Sequence, residues 1–313
     1  MTENYRDANM DSAVMVQSVR SVRLSAPGRG EELQLRVTSP LQGTDLPCIV
    51  FSHGFGSSMD AYAPLAEHWA ANGFVVIQPT FLDSRRVALR EDDPRYKSIW
   101  RIRVEDLRVT LDSLQTVVEL VPGLKGRVDQ SNVAAAGHSF GGQTTSMLLG
   151  ARMIADGGPG LDLADDRIKA GVLLASGGKG GADLSDLGQK ITPYLNSGFD
   201  HMTKPALVVV GDEDKSPLTN RGPGWFRDPY DLSPGQKSLL TLCGGEHMLG
   251  GISGYGAAET TDENPARVSL VQKMTTAYLK RELLGDEKIW HSACLELSND
   301  EEALGKIENK NDK

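Results

Sequence analysis

An open, mostly parallel α/β sheet, covered by helices on both faces and carrying an antiparallel N-terminal edge, is the fold class this 313-residue sequence predicts. Three observations lead there. Short apolar runs of strand length alternate with amphipathic stretches of helical length, the pattern of a parallel sheet buried on both sides. Two early stretches, residues 17–24 and 32–37, instead alternate polar with apolar around Ala26-Pro27-Gly28-Arg29-Gly30, which predicts a hairpin at one edge. Finally, the residues able to do chemistry fall just after the apolar runs, where open α/β sheets place their sites.

The elements follow in chain order. After the hairpin come a strand at 47–52, a helix at 60–72, a strand at 74–79, a helix at 101–121, a strand at 132–137 and a helix at 141–153. Strands at 169–175, 205–210 and 237–242 and a helix at 264–284 complete the set. The 101–121 helix is the clearest, since Val104, Leu107, Leu111, Leu114, Val118 and Val121 recur at steps of three and four and form one apolar stripe. Arg103, Glu105, Arg108 and Asp112 fall largely off that stripe and read as a solvated face. One domain is expected over residues 1–298, with short insertions near 177–203 and 216–234, followed by a charged, frayed tail over 299–313.

The strand at 132–137 runs into Gly137-His138-Ser139-Phe140-Gly141-Gly142 and then into a helix-forming stretch. A serine hydroxyl is a weak nucleophile unless it is presented openly and its proton is taken. A sharp strand-to-helix turn does the first by pushing Ser139 out at the top of the sheet. A glycine-rich turn with an incidental serine is the competing reading, and the flanking strand and helix weigh against it. The base must come from six histidines. His138 is adjacent to Ser139 on a turn where neighbouring side chains diverge, His68 sits in a helical pattern, and His201 and His291 have no strand end nearby. His247 follows the strand at 237–242 in the glycine-rich loop Gly244-Gly245-Glu246-His247-Met248, and is the candidate base.

An acid should orient that imidazole from a strand between the two. The apolar run 205–210 ends in Gly211-Asp212-Glu213-Asp214, so three carboxylates compete. Asp214 is favoured because the acid in such an arrangement usually sits three residues beyond the glycine that closes the strand, out on the loop where it can reach the histidine, with Asp212 the principal alternative. An early strand runs into His53-Gly54-Phe55-Gly56, whose glycines free one amide to turn inward. The N–H groups of Phe55 and Phe140 are the candidate donors to a developing oxyanion. His53 reads as a brace within this loop.

These motifs resemble the α/β-hydrolases. Within that superfamily, Ser52–Gly56 (S-H-G-F-G), residues 126–142, Gly211–Asp214 (G-D-E-D) and Gly244–Met248 (G-G-E-H-M) are similar to the group of dienelactone hydrolase-like proteins, chlorophyllases and platelet-activating-factor acetylhydrolases. The resemblance covers roughly residues 45–285 and implies a Ser139–His247–Asp214 triad acting on carboxylic esters. One departure stands out: platelet-activating-factor acetylhydrolases carry their acid after the strand that follows the nucleophile helix. Here that strand ends in Ser176-Gly177-Gly178, which leaves the role to Asp214. The same machinery serves amidases, peptidases and lactonases, and the fold also hosts non-catalytic ligand-binding proteins.

Composition narrows the partners. A net charge of −9 argues against a nucleic-acid backbone as partner. No P-loop, dinucleotide fingerprint or metal-spaced His/Cys cluster is found, so neither cofactor nor metal is expected. The start Met-Thr-Glu-Asn-Tyr-Arg-Asp has no apolar segment behind a basic start. Three cysteines, Cys48, Cys243 and Cys294, read as reduced thiols, and a cytoplasmic setting without a membrane span is expected. Substrate contacts are expected from Trp225, Phe226 and Tyr230, clustered in a chain only 6% aromatic, and from Met248 beside the histidine. A small core anchoring a long loop is the alternative for that cluster. With an insertion too short for a large helical lid, a fairly open cleft and a small-molecule ester are expected.

Overall fold

The computed structural model describes residues 14–154, 158–254 and 257–310. The N-terminal stretch used to expect a leaderless start, and the last three residues of the charged tail, lie outside them. In chain order the elements are β1 (Val16–Leu24), β2 (Leu33–Pro40), β3 (Leu46–Ser52), α1 (Ala63–Ala71), β4 (Val75–Pro79), α2 (Ile99–Asp112), α3 (Leu114–Leu120), β5 (Val128–His138) and α4 (Phe140–Leu148). They continue with β6 (Arg152–Met153), β7 (Ile168–Leu174), α5 (Asp186–Ile191), β8 (Ser197–Gly198), β9 (Ala206–Gly211), α6 (Asp228–Asp231), β10 (Lys237–Leu242), α7 (Pro265–Leu284), α8 (Glu287–Asn299) and β11 (Gly305–Lys310).

Nine strands form one sheet in the order β1-β2-β4-β3-β5-β7-β9-β10-β11. The six from β4 to β10 are parallel, whereas β1, β2 and β4 pair antiparallel at one edge and β10 with β11 at the other. This is the mostly parallel sheet with an antiparallel N-terminal edge that the apolar runs predict. Because successive strand residues face opposite sides, Cys48 and Val50 of β3 join one core with α2, α3 and α4. Ile49 and Phe51 join the other with α1, α7 and α8. No helix among the described residues is long and apolar enough to cross a membrane.

Three expectations need correction. The helix expected over 101–121 is two helices broken at Ser113, whose φ −103° and ψ 12° leave the helical region, although the apolar stripe runs on through both. Its solvated face does not include Arg103, which is only 1% exposed, because Asp83 neutralises it inside the fold. The tail expected to fray instead adds β11 to the sheet edge, in register from Lys237↔Lys310 to Leu242↔Gly305. Its charged side chains alternate on an edge strand, where one margin and much of both faces meet water.

Candidate active site

Ser139 stands where β5, the middle strand, turns into α4. Its φ of 56° and ψ of −121° are strained for a residue with a side chain, and its N–H donates to the Leu174 carbonyl at 2.8 Å. The turn closes because two glycines let backbones touch. A β-carbon on Gly137 would lie 2.2 Å from the Gly141 carbonyl oxygen, and one on Gly141 would lie 1.9 Å from that of Ser52 in β3. Any side chain there would drive β3, β5 and α4 apart.

His247 meets Ser139 across this turn, with Nε2 2.8 Å from Oγ. Its Nδ1 lies 2.9 Å from Asp214 Oδ2 and 3.2 Å from Oδ1, and Asp214 is fully buried. A buried carboxylate beside Nδ1 favours the tautomer with the proton there, which leaves Nε2 as an acceptor for the serine proton. Of the three competing carboxylates, the loop after β9 brings only Asp214 to the imidazole. Asp212 accepts the Gly244 N–H at 2.7 Å and Glu213 faces Lys215 at 3.4 Å. Asp262, from beyond the histidine loop, accepts the N–H groups of Glu246 at 2.8 Å and Gly250 at 2.9 Å, and so pins the loop on both sides of His247.

His138, set aside on the sequence because its side chain diverges from Ser139, is a second brace. Burial and the neighbouring His247 ring push it down to about 3, so it is neutral. Its Nε2 donates to the His247 carbonyl at 2.8 Å, and its Nδ1 accepts from the Tyr62 hydroxyl at 2.9 Å. Tyr62 in turn accepts the Gly54 N–H at 3.1 Å. Nothing local in the sequence signals Tyr62, which arrives from the start of α1.

The loop after β3 places Phe55, 55% exposed, beside Phe140, with ring centroids 6.2 Å apart. Neither the Phe55 nor the Phe140 N–H donates to a protein acceptor among the described residues. His53 braces the loop as expected: Nδ1 donates to the Gly54 carbonyl at 2.7 Å and Nε2 accepts the Phe81 N–H at 3.1 Å.

The aromatic cluster is buried. Trp225, 2% exposed, donates from its indole to the Lys179 carbonyl at 2.6 Å, and its ring packs over Gly177. Tyr230 lies under Lys310, whose Nζ is 5.0 Å from the ring centroid. Only Phe226 reaches the site, its ring 5.7 Å from that of His247, while Met248 is half-buried on the histidine loop. This placement favours a loop anchor for Trp225 and Tyr230. Trp225→Ala is expected to cost about 3–5 kcal/mol of stability, read as a lower denaturant midpoint, with the acyl-length preference little changed. A changed preference at undiminished stability would return Trp225 to the pocket wall.

The chain is similar to known proteins over this architecture. A chlorophyllase family model matches residues 9–154. The platelet-activating factor acetylhydrolase of Cavia porcellus is 27% identical over 36% of this chain and 34% of its own length. Cutinase 2 of Thermobifida cellulosilytica is 24% identical over 89% of this chain and 83% of its own. Cutinase est2 of Thermobifida alba is 26% identical over 76% and 64% respectively. These are hydrolases, and the kinship supports a hydrolytic function. With the sheet order and these relatives in agreement, the chain belongs to the α/β-hydrolase superfamily, related to its chlorophyllase, cutinase and platelet-activating-factor-acetylhydrolase-like families.

Proposed function

We propose that the chain is a serine hydrolase that cleaves carboxylic esters of small molecules through an acyl-enzyme. The observation that carries this reading is the continuous line from Ser139 Oγ to His247 Nε2 at 2.8 Å and from Nδ1 to the buried Asp214 at 2.9 Å. Ser139 attacks the carbonyl carbon while His247 takes the hydroxyl proton, and Asp214 balances the imidazolium. The N–H groups of Phe55 and Phe140, one from each flank of the serine, receive the negative charge of the tetrahedral intermediate. His247 then delivers its proton to the leaving alcohol, and water repeats the sequence on the acyl-enzyme. The solvent-accessible aromatic row of Phe55, Phe140 and Tyr194 supports apolar contacts with the substrate, while the buried Phe226 ring packs behind His247. A cytoplasmic setting belongs to the same reading, supported by three cysteines that are all free thiols.

A panel of p-nitrophenyl esters of graded acyl length, run beside the matching anilides, tests the proposal. Turnover of the esters with much slower cleavage of the anilides is expected. Anilide cleavage as fast as that of the esters would favour the amidase or peptidase alternative. The pH profile of the same assay carries a second expectation. With His138 held near 3 and His53 pushed down to about 4 by burial and Arg103, both stay neutral between about pH 5 and 8. Neither of these two rings should therefore contribute a proton to the pH dependence of kcat/KM over that range. An acid limb that follows two protons over that range would contradict the assignment of His138 as a neutral brace.

A further inference from the structure

We infer that Arg103, paired with Asp83, is a positioning residue that holds both oxyanion amides in place; the inference rests on the proposed ester hydrolysis. The guanidinium is 1% exposed and uses each of its nitrogens. Nη1 donates to both oxygens of Asp83 at 2.7 and 2.8 Å, and Nη2 donates to the His53 carbonyl. Nε donates to the Thr144 hydroxyl at 3.1 Å, which itself donates to the Phe140 carbonyl at 3.0 Å. Asp83 accepts the Gly56 N–H at 3.2 Å. The loop bearing Phe55 is therefore gripped at His53 and Gly56, one residue or two from the amide that matters. The turn bearing Phe140 is gripped through Thr144 and through the Phe140 ring, whose centroid lies 4.6 Å from the guanidinium carbon. The Phe81 ring centroid lies 4.1 Å from the same carbon.

Two amides that must converge on one oxygen come from segments more than eighty residues apart, and the fold joins them through this one planar cation. A lysine could supply the charge but not the fork. Stability alone gives little reason for the pair, since buried ion pairs often contribute less than well-packed apolar side chains of the same volume. Burial pushes the Asp83 carboxyl up, but the Arg103 charge and hydrogen bonds outweigh it and hold the group below the usual carboxylate range. The pair therefore stays ionised and leaves no net charge behind the amides.

Arg103→Lys tests this, with active sites counted by fluorophosphonate labelling of Ser139 carried to completion. Turnover per labelled site should fall about ten- to a hundredfold, approaching the loss seen when an oxyanion donor is removed. KM should change by less than about threefold, and the midpoint of the pH profile should not move, because the serine, histidine and aspartate are untouched. A kcat per labelled site within about twofold of wild type, a loss confined to KM, or a displaced pH midpoint would overturn the inference. If the lysine variant does not fold, Thr144→Val decides. It cuts the link to the Phe140 carbonyl without removing a charge and should lower kcat per site about three- to tenfold, against no change if the cluster only packs. Wild-type protein that neither labels at Ser139 nor turns over esters would sink the ester-hydrolase reading itself. Active wild type with an unaffected lysine variant would sink only the role of Arg103.

Discussion

Ser139→Ala is expected to reduce ester turnover by a factor on the order of 10⁴ to 10⁶ while leaving the fold intact. The size of the effect follows from the place of the hydroxyl. It is the one group at the turn within 2.8 Å of His247 Nε2, and without it the base has no nucleophile to activate. Its removal leaves no buried polar partner stranded, because His247 is partly exposed and can meet water instead. The strained backbone at residue 139 is held by Leu174 and by the glycine contacts, none of which involves the side chain. Thermal unfolding of the alanine variant should accordingly stay close to wild type.

Asp214→Asn is expected to lower kcat by about 10⁴. An amide in that place can donate its N–H to Nδ1 and stabilise the tautomer that carries the proton on Nε2, which faces the serine and then cannot accept its proton. It also cannot balance the imidazolium that forms during attack. Asp212→Asn and Glu213→Gln should lose far less, since neither touches the ring: Asp212 caps the Gly244 N–H and Glu213 pairs with Lys215 at the surface. Kinetics of the three purified variants on one activated ester would measure this. A collapse in Asp212→Asn with Asp214→Asn near wild type would refute the geometry of the loop.

Much of this was legible in the sequence because parallel strands buried on both faces read as apolar runs, and those runs fixed where the loops at their carboxyl ends begin. The serine turn, the histidine loop and the acidic cluster each follow such a run directly, so their local sequence carries the signal. What stayed hidden depends on contacts between distant segments. Arg103 lies off the apolar stripe of α2 and looks solvated by periodicity alone. Its burial requires Asp83, His53 and Thr144, which arrive from other elements. Tyr62 and His138 likewise meet only in the fold. The β11 strand escaped because Lys306, Glu308 and Lys310 make an edge strand look like a charged tail, and pairing with β10 is what orders it. The aromatic cluster at Trp225 fits two readings in the sequence, since aromatic residues in a loop look alike whether they face a pocket or a core.

The most direct test of the central claim is the mass and position of the adduct left by a fluorophosphonate on the wild-type protein. Attack by an activated serine predicts one equivalent of label, mapped by peptide sequencing to Ser139, formed in step with the loss of ester hydrolysis and absent from Ser139→Ala. A label on any other residue, or full ester turnover persisting after Ser139 is completely modified, would contradict the account.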